Sequence, residues 1–489
     1  MLIHNVRLGF ATNSSSTHSI IFLKPRQRIE DSDVDHREFG WDFWTAASQA
    51  AKRQYIAIQL YDALRHQVND DVAEAVVESW VKGYEPSEPG KTFHDAGPAG
   101  YIDHQSAMVL PQSWDGKGID KEFFQEFQAF LMRDDVAILG GNDNTEESHP
   151  LGDTSFHLPL PRDGYANLVA RKDAKGNFWT VFNRDDGGKV RFSFEDPTSK
   201  HEVMKASVPE LVDLKITDFC PFGCAFCYQG STHAGKHADS SVLHSIAHMF
   251  SKLKVFEVAI GGGEPTLHPK FLETITTFKA YGVIPNFTTK NLTWLRDPAV
   301  WPKVIESIGG FAFTADNQDD VKKLAKILDM NDIDTSKVSV QYVMGSKELH
   351  EMGWIIRACA ERNLRVTLLG YKTTGRGSSY KPHKYDGWLD MIVKLRDEEK
   401  VYVNLGIDTA LAKESQAALK KAKIHHKLYA TDEGMFSMYI DAVEMKMGPS
   451  SYVEDVAMKR VQKFDEKSIL DTFAGYKKTS WEKLDELPD

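Results

Sequence analysis

The sequence predicts an α/β protein with a partial (β/α)6 barrel in mid-chain, an α+β module before it and a β-hairpin extension after it. Three observations predict this. From Leu211 onward, short apolar strand-like runs alternate with amphipathic helical segments, the pattern of a βα architecture. Upstream, helical and hairpin signals are mixed and no internal repeat is visible. Downstream, ATDEGMFSMYIDAVEMKMGPSSYVED has the shape of a β-hairpin. At 489 residues the chain exceeds one ordinary domain, and the expected modules are 1–205, 206–405 and 406–489.

In the first module, residues 41–66 (WDFWTAASQAAKRQYIAIQLYDALRH) and 70–84 (DDVAEAVVESWVKGY) read as helices. Pro86 to Gly118 is rich in Gly, Pro and His and reads as loop. Tyr165 to Phe194 reads as a small antiparallel meander, with KDAKGN and RDDGGK as turn signals. The run ATNSSSTHS (Ala11 to Ser19) carries hydroxyls that could cap a helix or bind an anion, and a polar turn is the preferred reading.

The barrel strands are expected at Leu211–Thr217, Val255–Ile260, Val283–Thr289, Gly309–Ala315, Lys337–Gly345 and Leu364–Tyr371. Helical patterns separate them: 240–253, 268–282, 319–330 and 348–363. A further pair, VYVNLGI and ALAKESQAALKKAK, could extend the sheet. Within the strands, Lys215 and Thr217 alternate with Leu214 and Ile216. Ser339 and Gln341 alternate with Val338, Val340 and Tyr342, and Asn286 and Thr288 do so less regularly with Ile284 and Phe287. A helix-covered outer face should be apolar, so the polar set points into the lumen and makes it a ligand-holding cavity; ordinary edge-strand alternation would give the same pattern.

Composition bounds the function. With 42% hydrophobic and 26% charged residues the chain reads as a globular protein. No apolar stretch approaches the roughly 20 residues of a membrane helix, and the first residues lack the basic start and apolar core of a signal peptide. A cytoplasmic location is expected. Net charge is 59 − 70 = −11, which weighs against nucleic acid, whose binding needs many phosphate-neutralising cations.

Two runs carry the chemistry. Cys220, Cys224 and Cys227 in FCPFGCAFCYQG form a C-x3-C-x2-C spacing, while Cys359, the remaining cysteine, lies in a helical run and reads as a buried thiol. Three thiolates leave one corner of a four-iron cluster open, and an open iron can bind a small molecule. A zinc site completed by His233 is another reading of the cysteines. A disulfide framework is disfavoured by four cysteines in 489 residues. The second run weighs against zinc. Thirty-four residues after Cys227, Gly261-Gly262-Gly263-Glu264-Pro265 follows the apolar VFEVAI, so both runs sit at C-terminal strand ends, where such folds gather active sites.

Together the two runs resemble the radical S-adenosylmethionine (radical SAM) superfamily, over about Leu211 to Leu405. The resemblance implies a [4Fe–4S] cluster on Cys220, Cys224 and Cys227, and SAM bound with its methionine ammonium at Gly262, Gly263 and Glu264. Glycines let backbone carbonyls approach closely, and the carboxylate adds a charge-assisted acceptor. Phe226 matches an aromatic expected near the adenine, or simple packing. Thr314 and Asp316 in FTADN match a Ser-x-Asp on strand four. Thr289 and Asn291 in TTKNLTW resemble a Thr-Asn-Gly turn, with the glycine absent and a lysine between. Lys372 and Arg376 in GYKTTGRG could each bind the SAM carboxylate or a substrate anion. Structural turns and solvated charges account for these later positions as well. So does a solvent-facing helix for His244 and His248, and loop polarity for His233 and His237. The C-terminal hairpin resembles a SPASM or twitch extension without its cysteines: Pro449-Ser450-Ser451 stands where Pro-Cys-Ser is common.

The reaction implied is reductive cleavage of SAM, supplied with one electron by a donor such as a flavodoxin or ferredoxin. A 5′-deoxyadenosyl radical then abstracts hydrogen from a C–H bond, the protein contributing position and electrostatics. A peptide or protein substrate is the first reading of the substrate. A small anionic metabolite or nucleotide is the second, and a non-catalytic Fe–S or SAM-binding regulator is the third.

Overall fold

The computed structural model describes residues 2–7, 19–22, 30–31, 38–39, 44–84, 101–102, 109–140, 167–173, 175–185, 187–195, 205–424 and 433–476. Two compact units result: Met1–Lys172 with Asn177–Glu202, and Asp173–Gly176 with Val203–Asp489. The Ser-rich run at 11–18 and most of the loop expected between Pro86 and Gly118 lie outside the described residues.

Among the described residues the first unit holds three sheets beside its helices, the smallest a parallel pair of Glu38–Phe39 with Tyr101–Ile102. Leu2–Arg7, Lys189–Ser193, Phe178–Asn183 and Leu168–Asp173 form a four-stranded sheet in that order. Ser19–Phe22, Val136–Gly140 and Trp44–Ala46 form a three-stranded antiparallel one. The expected helix at 41–66 starts later, as Gln49–Arg65. Ser48 is extended and its hydroxyl accepts the Ala51 N–H, so the chain before this cap is free to pair as a strand. A third helix, Lys121–Leu131, buries Phe123, Phe124, Phe127 and Phe130 along one face.

In the second unit the strands and helices alternate as β1 (Leu211–Thr217), α1 (Ser240–Lys252), β2 (Glu257–Gly262), α2 (Phe271–Ala280), β3 (Ile284–Thr289), α3 (Trp301–Ser307), β4 (Gly310–Thr314), α4 (Gln318–Asn331), β5 (Val338–Val343), α5 (Leu349–Ala360), β6 (Arg365–Leu369), α6 (Trp388–Asp397) and β7 (Leu405–Ile407). Two of these helices start on a side-chain cap: Asp239 caps α1, and Asn317 caps α4 by accepting from two backbone N–H groups. Only the last three residues of VYVNLGI become strand.

Pleating sorts the strand side chains. Along β5 and β6 burial alternates residue by residue, with Val338, Val340, Tyr342, Val366 and Leu368 buried. The same side of β3 and β4 carries Phe287 stacked on Phe311 at 5.7 Å, with Trp294 edge-on to both. On the opposite side polar residues bond one another: half-buried Asn286 donates to buried Glu257, and Ser339 bonds Thr367 across β5 and β6.

The sheet does not stop at β1. The hairpin strand β8 (Ser437–Asp441) pairs parallel with it, and β9 (Lys446–Gly448) and β10 (Lys459–Arg460) follow antiparallel, giving ten strands ordered β7-β6-β5-β4-β3-β2-β1-β8-β9-β10. The ladder sets Lys215 opposite Asp441. The buried Lys215 ammonium pairs with Asp441 at 3.0 Å and with Asp218, so one cation ties β1, the lead-in to Cys220 and the hairpin together. Burial works against its charge, but the two carboxylates outweigh it and raise its pKa. Lys215→Met leaves Asp441 buried without its counter-charge, and should cost about 3 kcal/mol in denaturant unfolding.

Candidate functional site

The cysteine loop leaves β1 at Asp218 and is held by its own backbone before any cofactor is considered. Cys220 N–H donates to Thr232 O at 2.9 Å, Asp218 N–H to Lys236 O at 2.8 Å, and Gly230 N–H to Cys227 O at 3.1 Å. Gly223 takes φ +63° inside the loop, where a residue with a Cβ would be strained. Cys220, Cys224 and Cys227 each keep a partly exposed thiol, while Cys359 is buried. Burial pushes the Cys359 thiol up to about 12, which makes it inert at neutral pH.

The GGGEP run docks on this loop. Gly262 has φ +118°, and a Cβ there would meet Thr217 O at 2.3 Å; at Gly263 it would meet Phe219 O at 2.2 Å. Gly261 has nothing within 4 Å. Two of the three glycines are therefore demanded by contact with the chain that leads into Cys220. Gly263 N–H and Glu264 N–H complete the junction on Thr217 O and Phe219 O.

Glu264 is buried, and its oxygens differ. Oε1 accepts from the Thr266 N–H and hydroxyl and from the Thr289 hydroxyl, at 3.2, 2.6 and 2.7 Å. Oε2 accepts from the Lys290 N–H at 2.9 Å. A carboxylate oxygen carries two lone pairs, so Oε2 is the one with capacity left for an ammonium. Thr289 and Asn291, which the resemblance puts among the SAM contacts, are buried under this carboxylate. Asn291 donates to Thr266 Oγ1 and accepts from Thr293, so both residues hold the pedestal.

Thr314 is half-buried at the end of β4. Asp316 is ion-paired with Lys290, whose ammonium also reaches Cys224 Sγ at 3.7 Å. Phe226 packs edge-on to Tyr380, ring centroids 5.9 Å apart. Arg376 is a clamp: Nε donates to Cys224 O at 3.0 Å, Nη1 to Ser231 O at 2.9 Å and its backbone N–H to Cys227 O at 2.9 Å. Its flanking glycines permit this, since a Cβ on Gly375 would meet Tyr228 O at 2.4 Å and one on Gly377 would meet Lys372 O at 2.3 Å. Lys372 lies 3.6 Å from Asp408, between the rings of Tyr228 and Tyr452 at 4.8 Å each.

Sequence reading missed a lumen cluster around that lysine. Asp213, on β1, keeps water access, yet its carboxyl is pushed up to about 7, chiefly by burial and then by the charge of Glu433, with Lys372 pulling the other way. Glu433 is raised by burial too, against Lys372 and a hydrogen bond from Tyr452. The only trace in the sequence is a charged residue inside an apolar strand, LVDLKIT.

The donor set fits an iron–sulfur cluster. Among the described residues no three His, Cys, Asp or Glu side chains converge as one metal ion requires, so His233 does not complete a zinc site with the thiols. A cluster makes a different demand, because each thiolate takes its own iron. Burial raises the Cys220 thiol, and Glu264 and the two other thiols add to the effect. Three thiolates on one short loop are stable together only with positive charge among them, which iron supplies.

Two outcomes test this geometry. Gly263→Ala forces Cβ into the Phe219 carbonyl and should lose about 2 kcal/mol, whereas Gly261→Ala should melt as the parent does. For Asp213 the raised folded pKa means a contribution to stability that is complete below about pH 4 and lost as pH rises through about 7. Asp213→Asn should therefore raise the melting temperature at pH 8 and leave it nearly unchanged at pH 4.

Residues 214–342 match the family model of the radical SAM superfamily. Over 95 residues the chain is 30% identical to GTP 3′,8-cyclase of Edwardsiella ictaluri (strain 93-146), covering 18% of this chain and 29% of that protein. It is 31% identical over 97 residues to GTP 3′,8-cyclase of Haemophilus ducreyi (strain 35000HP / ATCC 700724), covering 19% and 28%. The chain thus spans under a third of the length of these curated relatives. Among solved structures it is similar to Streptococcus suis SuiB bound to precursor peptide SuiA, with TM-score 0.49 and 13% identity over 63% of this chain and 88% of that one. It is also similar to anSMEcpe with bound AdoMet, with TM-score 0.39 and 12% identity over 54% and 81%. The three-cysteine loop and the GGGEP turn both lie inside the segment 214–342 that matches the radical SAM superfamily model, so this segment is a radical SAM domain, which implies a [4Fe–4S] cluster and SAM as its cofactors.

Proposed function

We propose that the chain is an enzyme that cleaves SAM reductively and acts on a C–H bond of a peptide or protein substrate. The cofactors, when bound, supply a carbon radical able to abstract hydrogen from unreactive carbon. The protein's residues do the rest. Cys220, Cys224 and Cys227 would hold the cluster, and Arg376 fixes the carbonyls of their loop. Gly262 and Gly263 bring backbone against that loop, and Glu264 Oε2 offers the acceptor for the methionine ammonium. Tyr228 and Tyr452 sandwich Lys372 and limit water at that side of the lumen.

One observation carries the choice of substrate class. A phosphate clamp would use Lys372 and Arg376, and both are engaged: Arg376 by backbone carbonyls, Lys372 by Asp408 and two rings. The charges acting on Lys372 include Asp213, Glu433 and Asp408, an environment that repels a polyphosphate and accepts a neutral or cationic side chain. The similarity to GTP 3′,8-cyclase over 95 residues favours a second reading, in which the substrate is a nucleotide. No helix among the described residues is long and apolar enough to cross a membrane. A reducing cytoplasmic setting and an external one-electron donor belong to the proposal, because free thiols and the cluster both require them.

The test is 5′-deoxyadenosine formation by anaerobically reconstituted protein with SAM and reductant. It is run alone, with a host peptide pool, with GTP, and with a small-metabolite pool. Stimulation by peptides is expected. Stimulation by GTP or metabolites alone would install the second reading, and none in any arm would leave a regulator.

A further inference from the structure

Lys290 is unused by the reaction just described, and its placement is specific. Its backbone N–H is fixed on Glu264 Oε2 at 2.9 Å. Its ammonium contacts Cys224 Sγ at 3.7 Å and is ion-paired with Asp316. The two side chains keep only 21% and 29% of their exposure, so solvent screens them poorly. Neighbouring bonds hold the arrangement from both ends. Arg376 pins the Cys224 carbonyl, and the Asp320 carboxylate accepts the Asp316 N–H at 3.1 Å.

We propose that Lys290 is a positioning residue that sets the reduction potential of the iron–sulfur cluster through the Cys224 sulfur, with Asp316 as its counterweight. This rests on the cluster assignment above. Reduction adds one negative charge to a centre already carrying three thiolates. A cation against a ligand sulfur stabilises the reduced state more than the oxidised one, and hydrogen bonds to cluster sulfurs act in the same direction. Asp316 partly cancels the ammonium. Neutralising Lys290 should therefore lower the potential, and neutralising Asp316 should raise it. A merely structural pair would not give opposite signs.

The experiment is a redox titration of the reconstituted full chain without SAM, following the reduced cluster by electron paramagnetic resonance. The electron comes from a low-potential chemical reductant through mediators. At the parent's midpoint, Lys290→Met should cut the ratio of reduced to oxidised cluster about tenfold, 59 mV for a one-electron couple. Lys290→Arg should stay near the parent, and Asp316→Asn should shift the other way. Unchanged midpoints in Lys290→Met and Asp316→Asn, or shifts of the same sign, overturn the proposal. If Lys290→Met does not retain its iron, Asp316→Asn decides alone, and no rise in its midpoint overturns it. A parent protein that binds no [4Fe–4S] cluster at all would instead refute the cluster assignment, which iron and sulfide counts reveal before any titration.

Discussion

The site depends on the three hydrogen bonds that Arg376 makes to the cysteine loop. They join the loop after the sixth strand to the loop after the first, the two ends of an incomplete barrel. A guanidinium can do this because it is planar and presents several donors in a fixed fork, so two carbonyls seven residues apart are held at once. The close approach that makes it possible needs glycine on either side. Cys224 and Cys227 are thus placed by backbone carbonyls bonded from across the barrel, and their thiols remain available for metal.

Charge is used in the same economical way along the inner face. Lys215 and Lys372 are both poor in solvent, and each is surrounded by carboxylates from other segments: Asp218 and Asp441 for the first, Asp408, Asp213 and Glu433 for the second. A buried charge without partners would cost several kcal/mol. Paired, the two lysines fasten the C-terminal hairpin to the barrel at two levels, by Asp441 on the strand ladder and by Tyr452 and Glu433 near the cysteine loop. The hairpin is part of the sheet and part of the lumen wall, which is why it clusters in the same compact unit as the barrel.

What the sequence reveals and hides follows from the range of each signal. The six barrel strands and their helices are local in origin, since a period of two and a period of 3.6 are written over a few residues each. The cysteine spacing and GGGEP are local too. Pairing across long separations leaves no such mark: Leu2–Arg7 lies beside Lys189–Ser193, and β8 lies parallel to β1 although its own hairpin was legible. The roles of Thr289, Asn291 and Arg376 were hidden for another reason. A threonine bonding a buried carboxylate and one bonding a ligand are the same residue in a sequence, and an arginine aimed at backbone carbonyls has no partner residue type to betray it. Lys290 stood out only as an intruder in a turn. Its neighbours gave it meaning.

Cys359 lies on the buried face of α5 with a thiol that hardly ionises near neutrality. Its burial has a practical side for anyone loading the protein with iron and sulfide. Of the four cysteines only the three on one loop offer ligand thiols on the native fold, so a second cluster held by three cysteine thiolates has no place to form there. Cysteine-ligated cluster beyond one per chain would then point to unfolded material, a ready purity standard for every later measurement.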